Sequence, residues 1–215
     1  MRIGVSLTTA HTDVDAAEGA RMIIERARVA DQSGLDSLFL GDHHATPFSY
    51  YQNTPMLGRL LAEWGDRPAG ALYLLPLWHP LILAEHIATL ATIMQDRFIL
   101  QCGIGDGHQA KAIGVNPRQL PSHFEQSLSI MRRLWAGEEV SSDGRWKFGG
   151  GRISPRPPKS VEVWIAALAP PAIDRTARIG DGWLAAPSLS FDDARRHLAS
   201  YFERCEVHGR PRGTA

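Results

Sequence analysis

GALYLLPLWHPLILAEHIATLATIMQDRFILQCGIGDG, residues 70 to 107, is the stretch that decides the fold. Gly70 to Leu75 is a short run of β-forming and apolar residues. Leu81 to Met94 spaces its apolar residues as an amphipathic helix does, and Phe98 to Cys102 is apolar again. Strand, helix and strand within so short a span make a βαβ unit, whose two strands lie parallel because the helix carries the chain back to its starting edge.

The same alternation extends in both directions. Upstream, Arg2 to Leu7 reads as a strand. Asp15 to Ser33 reads as a helix with Ala20, Ile23, Ile24, Ala27 and Ala30 on one face and Gly34 as its stop, and Leu35 to Leu40 is a second strand. Downstream come a helix over Ser122 to Trp135, a strand over Val161 to Ala167, a helix over Ala172 to Ile179, a strand over Trp183 to Ala186 and a helix over Phe191 to His208. Six strands alternating with helices predict a parallel sheet, and the near-continuous apolar runs LDSLFL and VEVWIAA suit strands buried on both faces. An open doubly wound sheet and a (β/α)8 barrel both satisfy this pattern. A dinucleotide fold wants its glycine fingerprint after the first strand, but Ser6-Leu7-Thr8-Thr9 has none. Gly103, Gly105 and Gly107 follow the fourth strand instead, where they read equally as a tight strand-to-helix turn or a phosphate cradle. Residues 137 to 160 break the rhythm and predict a hairpin excursion turning at Asp143-Gly144, an insertion within one domain spanning 1 to 215.

Composition narrows the function classes. Lys plus Arg and Asp plus Glu stand at 23 each, a balance that speaks against a binder working by phosphate neutralisation of nucleic acid. Two cysteines, Cys102 and Cys205, cannot build a disulfide framework. The longest apolar stretch, Leu72 to Leu83, is interrupted by Pro76, His79 and Pro80 and falls short of the ~20 residues of a membrane span. A cytoplasmic protein without membrane or nucleic-acid partners is expected.

Chemistry-bearing residues collect where strands end, the active-site face of barrel enzymes. The second strand runs into Gly41-Asp42-His43-His44 and the third into Pro76-Leu77-Trp78-His79-Pro80. His43 at such a position suits an acid, a base or a hydrogen-bond donor to a cofactor. Adjacent residues of an extended chain point apart, so His43 and His44 do not read as a metal pair, and no metal is expected. No G-x-S-x-G elbow supports serine hydrolysis, and Cys102 inside an apolar strand reads as a core residue. Tyr50, Tyr51 and Trp78, with His44, are candidates to line an apolar substrate pocket.

The stretch from Pro76 to Gly107 resembles the signature of luciferase-like flavin-dependent oxidoreductases: a His-Pro turn, a helix bearing Ala-Glu, then Arg-Phe-x-Leu-x-x-Gly-x-Gly. The resemblance extends from Arg2-Ile3-Gly4 through LDSLFLGDHH, Leu134-Trp135 and Pro155 to Trp164, to Gly180-Asp181-Gly182-Trp183. It implies a (β/α)8 TIM barrel holding reduced FMN or the deazaflavin coenzyme F420 at its C-terminal mouth. Family members either oxygenate a small organic substrate with O2 or transfer hydride; monooxygenation with reduced flavin is the leading expectation and F420-dependent hydride transfer the alternative, and the resemblance further implies a homodimer and, for oxygenation, a flavin reductase partner. By the family's motifs His43 is the catalytic candidate. Asp42, His79, Gly103, Ile104, Gly105, Ala167 and Leu168 become cofactor-binding candidates, and Ala71-Leu72 matches a non-prolyl cis peptide that supports the flavin ring.

Departures from the family pattern are specific. Ile104 stands where bacterial luciferase has a phosphate-holding Arg, Ala167 and Leu168 where it has a Glu-Ser pair, and His123 where an Arg is usual. Ala166-Ala167-Leu168-Ala169-Pro170 is more similar to deazaflavin-using members. Six strands against the family's eight predict an incomplete barrel, truncated before its seventh strand. A non-catalytic remnant that binds no flavin is the rival expectation.

Overall fold

The computed structural model describes residues 2 to 94 and 96 to 212. Six parallel strands form one sheet: β1 (Gly4–Leu7), β2 (Ser37–Leu40), β3 (Ala69–Leu74), β4 (Phe98–Gly103), β7 (Glu162–Ala166) and β8 (Gly182–Leu184), adjacent in that order. Helices α1 (Ala16–Gln32), α3 (Pro80–Ile93), α5 (Leu120–Trp135), α6 (Pro170–Ile179) and α7 (Phe191–Val207) alternate with them. Each main-sheet strand pairs with the next in sequence and the order never reverses. A doubly wound sheet needs a switch point, so this is the strand order of a barrel. Two short strands, β5 (Val140–Ser142) and β6 (Phe148–Gly151), form a separate antiparallel hairpin, as the Asp143-Gly144 turn predicts.

Side-chain alternation sorts the sheet into two faces. Leu38, Leu40, Ala69, Ala71, Tyr73, Phe98, Leu100, Cys102, Val163 and Ile165 join Ile23, Leu83, Ile87, Phe124 and Met131 in the main core between sheet and helices. The alternate positions line the concave inner face, where Phe39 on β2 meets Trp164 on β7 at 5.7 Å between ring centroids. Gly70 is the tightest point of the sheet: a Cβ there would lie 1.8 Å from the Ile99 carbonyl oxygen on β4. Only glycine lets β3 approach β4 so closely at that register.

Two helices escape the sequence reading. α2 (Asn53–Leu60) contains Pro55 and Gly58, poor helix formers that hide it. It is held by burial of Leu57 and Leu60 and by the Asn53 amide, which donates to the Leu72 carbonyl at 2.6 Å. α4 (Gly107–Ala112) is a single short turn-and-a-half capped by Asp106, whose carboxylate accepts from the backbone N–H of His108 and Gln109.

The resemblance implied a cis peptide at Ala71-Leu72, and the structure corrects this. Among the described residues the one cis bond is Ser154–Pro155. Ala71 and Leu72 lie inside an unbroken strand, with Ala71 opposite Leu40 on one side and Leu100 on the other. A regular two-sided ladder requires the trans geometry that keeps successive N–H and C=O groups facing opposite neighbours.

β1 and β8 each pair on one side only, and Ile3 beside β1 is 54% exposed. Unpaired strand edges are templates for intermolecular pairing. The 215-residue polypeptide expressed by itself is therefore expected to sediment as associated species. A monodisperse, cooperatively unfolding 23.7 kDa monomer in sedimentation and calorimetry would contradict this.

Candidate functional site

The C-terminal ends of β1 to β4 open onto a cleft of about 690 Å³. Its walls include Ser6, Leu7, Thr8, Thr9 and Ala10 after β1, Gly41, Asp42 and His43 after β2, Leu72 and Leu74 of β3, and Gly105, Asp106 and Gln109 after β4. Phe48, Tyr50 and Pro187 complete it. A cleft of this size falls within the range that holds a drug-sized molecule.

Asp42 organises the mouth. It is 3% exposed, and its Oδ2 accepts from the Leu74 backbone N–H at 2.8 Å and from the Trp78 indole N–H at 2.9 Å. Its Oδ1 lies 3.2 Å from His44 Nε2, close enough for attraction but not aligned as a hydrogen bond. A buried carboxylate is costly unless donors satisfy it, so these contacts fix the ends of β2 and β3 together. The two histidines then diverge, as alternation predicts. His43 is exposed on the cleft wall, its ring edge-on to Tyr50 at 5.4 Å. His44 turns into the protein against Trp78 and donates its backbone N–H to Gln109 Oε1 at 2.8 Å. Ala45 follows with φ +53°, a left-handed conformation that costs a non-glycine residue about 1–2 kcal/mol and turns the chain sharply away. Strain of this kind concentrates at functional mouths.

The fourth strand's loop contributes a fixed anion. Hydrogen bonds from the Gln109 side chain and backbone hold the Asp106 carboxyl below the usual carboxylate range. The Gln109 amide donates to Asp106 Oδ2 at 2.6 Å while accepting from His44, so one side chain links the loops after β2 and β4. Gly105, with φ +76°, makes the turn that lets this loop fold back. Burial pushes the Tyr50 phenol up; the neighbouring Thr9 hydroxyl opposes this and the Asp42 charge adds to it.

Of the sequence candidates, Asp42, His43, Tyr50, Leu72 and Gly105 line the cleft. The others sit elsewhere. Ala71 faces the helices in the core, because adjacent strand residues alternate and Leu72 takes the inner face. Trp78 is a packing residue among His44, Tyr73 and His86. Tyr51 points away, its hydroxyl donating to the Ala16 carbonyl at 2.6 Å and filling the space above Gly19. Ile104 is partly buried against two apolar clusters, and Gly103 ends β4 beside Leu74 and Ala166. Ala167 is buried, its carbonyl accepting from the Trp183 indole at 2.9 Å, while Leu168 is 46% exposed and outside the cleft. His79 precedes α3 and packs on the hairpin, 4.9 Å from Trp146 and 5.6 Å from Phe148.

Thr9, Phe48, Asp106, Gln109 and Pro187 are cleft residues that the sequence reading does not single out. The strand-end rule applied to β1 would have pointed to Thr9, and Asp106-Gly107 carries a helix-cap signal. Phe48 and Pro187 have no such signal. Among the described residues no group of three or more His, Cys, Asp or Glu is placed to hold a metal ion, and no helix is long and apolar enough to cross a membrane.

The comparisons with known proteins agree on one family. A sequence profile described as luciferase-like monooxygenase matches residues 1 to 215. A curated F420-dependent glucose-6-phosphate dehydrogenase of Microbacterium testaceum is 28% identical over 177 residues, covering 77% of this chain and 52% of that protein. Monooxygenase RslO1 of Streptomyces bottropensis superposes with a TM-score of 0.86 at 22% identity, covering 98% of this chain and 68% of that one. The oxygenating constituent of 3,6-diketocamphane monooxygenase of Pseudomonas putida, solved with FMN, gives 0.85 at 21%, covering 98% and 63%. The chain spans about half the length of the curated relatives it matches.

Two predictions follow from this geometry. Asp42→Ala orphans the Leu74 N–H and the Trp78 indole and is expected to cost about 1–3 kcal/mol per stranded donor. Denaturant unfolding reads the loss, and faster amide exchange at Leu74 localises it. The second concerns the hairpin. Burial lowers the His79 imidazole, and burial together with Arg145 lowers His123. The unfolded chain takes up protons near the ordinary value of about 6.5, before the folded one does. Stability from these two groups is thus fully present above that value and is lost as pH falls through the lower folded values. His79→Phe, which keeps a ring against Trp146, is expected to flatten the acid limb of a plot of unfolding midpoint against pH. An unchanged limb would show that His79 titrates alike in both states.

Proposed function

Because the chain belongs to the luciferase-like monooxygenase family, we propose that it is an oxidoreductase holding a flavin or F420 ring at the C-terminal mouth of its sheet. The observation that carries this reading is His43, exposed on a cleft whose floor is apolar and whose rim is polar. Leu72, Leu74 and Gly105 offer an apolar floor; a Cβ on Gly105 would stand 3.4 Å from Leu74 Cδ1. The ring portion of a flavin fits these residues. When bound, that ring supplies the two-electron redox chemistry.

The chain's own residues supply the rest. His43 can give or take a proton at an imidazole nitrogen over the cleft, the role its exposure and its ring contact with Tyr50 allow. Tyr50, its phenol pushed up, stays a neutral donor at physiological pH. Asp106, held below the usual range, stays an anion and stations a negative charge at the rim. Phe48 and Pro187 shield the cleft from water.

Hydride transfer to or from F420 is the leading chemistry, supported by the similarity to F420-dependent glucose-6-phosphate dehydrogenases. Oxygenation with reduced FMN and O2, with a flavin reductase as electron source, is the second reading, supported by the family description. A small organic substrate and a homodimer belong to the proposal under either chemistry.

Fluorescence titration with F420 and with FMN tests it. Saturable binding of one is expected; binding of neither would favour the flavin-free remnant. With a substrate in hand, His43→Ala is expected to lower turnover by about 10²- to 10⁴-fold with cofactor affinity nearly intact. Equal losses for His43→Ala and His44→Ala would reject His43 as the proton-handling group.

A further inference from the structure

We infer that Gln52 and Gln109 are positioning residues that grip the His43–His44 peptide from opposite sides and so aim the His43 ring over the cleft. The inference rests on the reading of His43 as the proton-handling group and deepens it by naming what directs that group.

His43 is exposed, so its direction depends heavily on the backbone that carries it. Both polar groups of the peptide that follows it are taken by side-chain amides. Gln52 Nε2 donates to the His43 carbonyl at 3.0 Å, and the His44 N–H donates to Gln109 Oε1 at 2.8 Å. The two glutamines come from different segments, one beyond β2 and one beyond β4. A peptide unit is planar, so hydrogen bonds at both of its ends fix its plane and with it the torsion on the C-terminal side of His43. The N-terminal side is constrained by Asp42, whose carboxylate is held by the Leu74 N–H and the Trp78 indole. Ala45, just beyond, has φ +53°, a left-handed conformation that a non-glycine residue leaves readily, and the grip opposes that departure.

Each glutamine is itself held. Gln52 stands at the N-terminal cap of α2 but makes no side-chain cap bond there, which leaves its amide for His43. Its neighbours on both sides are pinned: the Tyr51 hydroxyl donates to the Ala16 carbonyl and the Asn53 amide to the Leu72 carbonyl, each at 2.6 Å. Gln109 is 5% exposed, and a charge dictates its orientation. A carboxylate only accepts, so Asp106 Oδ2, 2.6 Å away, faces Gln109 Nε2 and thereby turns Oε1 toward the His44 N–H. Asp106 Oδ1 meanwhile accepts from the backbone N–H of His108 at 2.8 Å and of Gln109 at 2.9 Å. Asp106, Gln109 and the His44 N–H thus form a relay with one polarity.

That polarity separates the role from mere packing. In Asp106→Asn the side-chain oxygen still caps α4, because two backbone donors demand it, so the introduced amide faces Gln109 Nε2. Donor meets donor. The Gln109 amide then turns over, and its Nε2 meets the His44 N–H, again donor against donor. Adding Gln109→Glu removes the conflict: the introduced amide donates to the introduced carboxylate, whose second oxygen accepts from His44.

The test uses the 215-residue chain and two readouts. One is hydrogen–deuterium exchange at the His44 amide, resolved by mass spectrometry. The other is the His43 ring resonance of ¹³C-histidine-labelled protein, assigned by its loss in His43→Ala. Gln109→Met, which keeps the side chain's length, and Asp106→Asn are each expected to speed exchange at His44 by about threefold to tenfold, one neutral hydrogen bond's worth. In both, and in Gln52→Met, the His43 resonance is expected to leave the position that the edge-on Tyr50 ring gives it and to move toward that of free histidine. The double variant Asp106→Asn with Gln109→Glu is expected to restore both readouts, which a packing role alone would not do. The inference is overturned if Asp106→Asn leaves both readouts at their natural values, if the double variant is no better than Asp106→Asn, or if the His43 resonance stays put in both Gln52→Met and Gln109→Met. F420 and FMN titrations of the natural chain report separately on the oxidoreductase reading. Binding of neither fails that reading, whereas a flavin-binding chain that lacks the rescue fails this inference alone.

Discussion

A buried carboxylate at the end of β2 must find donors, and the way Asp42 finds them governs the mouth of this sheet. One donor is the backbone N–H of Leu74 and the other the Trp78 indole, so both lie on the chain segment leaving β3. The strands are thus tied at their C-terminal ends by a side chain, in addition to the ladder that ties their bodies. With Asp42 held inward, alternation leaves His43 on the cleft side and His44 on the protein side. The cost of burying a charge is offset by the precision with which it aims its neighbours, a trade that polar networks make where geometry matters more than stability.

The loops beyond the strand ends are joined to one another as well as to the strands. Gln109 bridges Asp106 and the His44 backbone, and the segments at Thr9 to His11 and at Ser49 to Tyr51 share backbone hydrogen bonds. A cleft built this way does not depend on long, free loops. Further out, the hairpin closes over the start of α3 through Trp146 and Phe148 on His79. His79 immediately follows Trp78, so the hairpin supports the residue next to the one that donates to Asp42.

Much of the scaffold was legible in the sequence because its signals are local and repeated. Apolar runs bounded by glycine or polar turns gave the six strands, and helical spacing gave the long helices. Asp143-Gly144 gave the hairpin. The short helix at Asn53 was illegible because Pro55 and Gly58 argue against it and the decisive contact, Asn53 to the Leu72 carbonyl, spans distant residues. The site was legible only where alternation could be counted from a strand end, as for His43 and His44. The aromatic candidates show the limit. Tyr50 and Tyr51 are adjacent and chemically alike, yet one faces the cleft and the other pins α1, since the bridge between Ala10 and Tyr50 fixes their directions. No local pattern in the sequence encodes that bridge.

The same division explains how a barrel of this kind can keep its frame while changing what it binds. Gly70, the alternating core residues and the parallel ladder answer to packing, and a change in any of them is felt by the neighbouring strand. The residues that set charge and shape at the mouth answer to far weaker constraints. Ile104 stands where the family resemblance puts an arginine and Ala167 where it puts a glutamate, and both pack into apolar clusters. An arginine in place of Ile104 would instead have to reach solvent or an anion. Asp106, held below the usual carboxylate range, is the acidic group on the loop after β4 that lines the cleft. The electrostatic character of the cleft is thus set by a few strand-end residues that the frame does not need, whereas its position and depth are set by the strands that the frame cannot change.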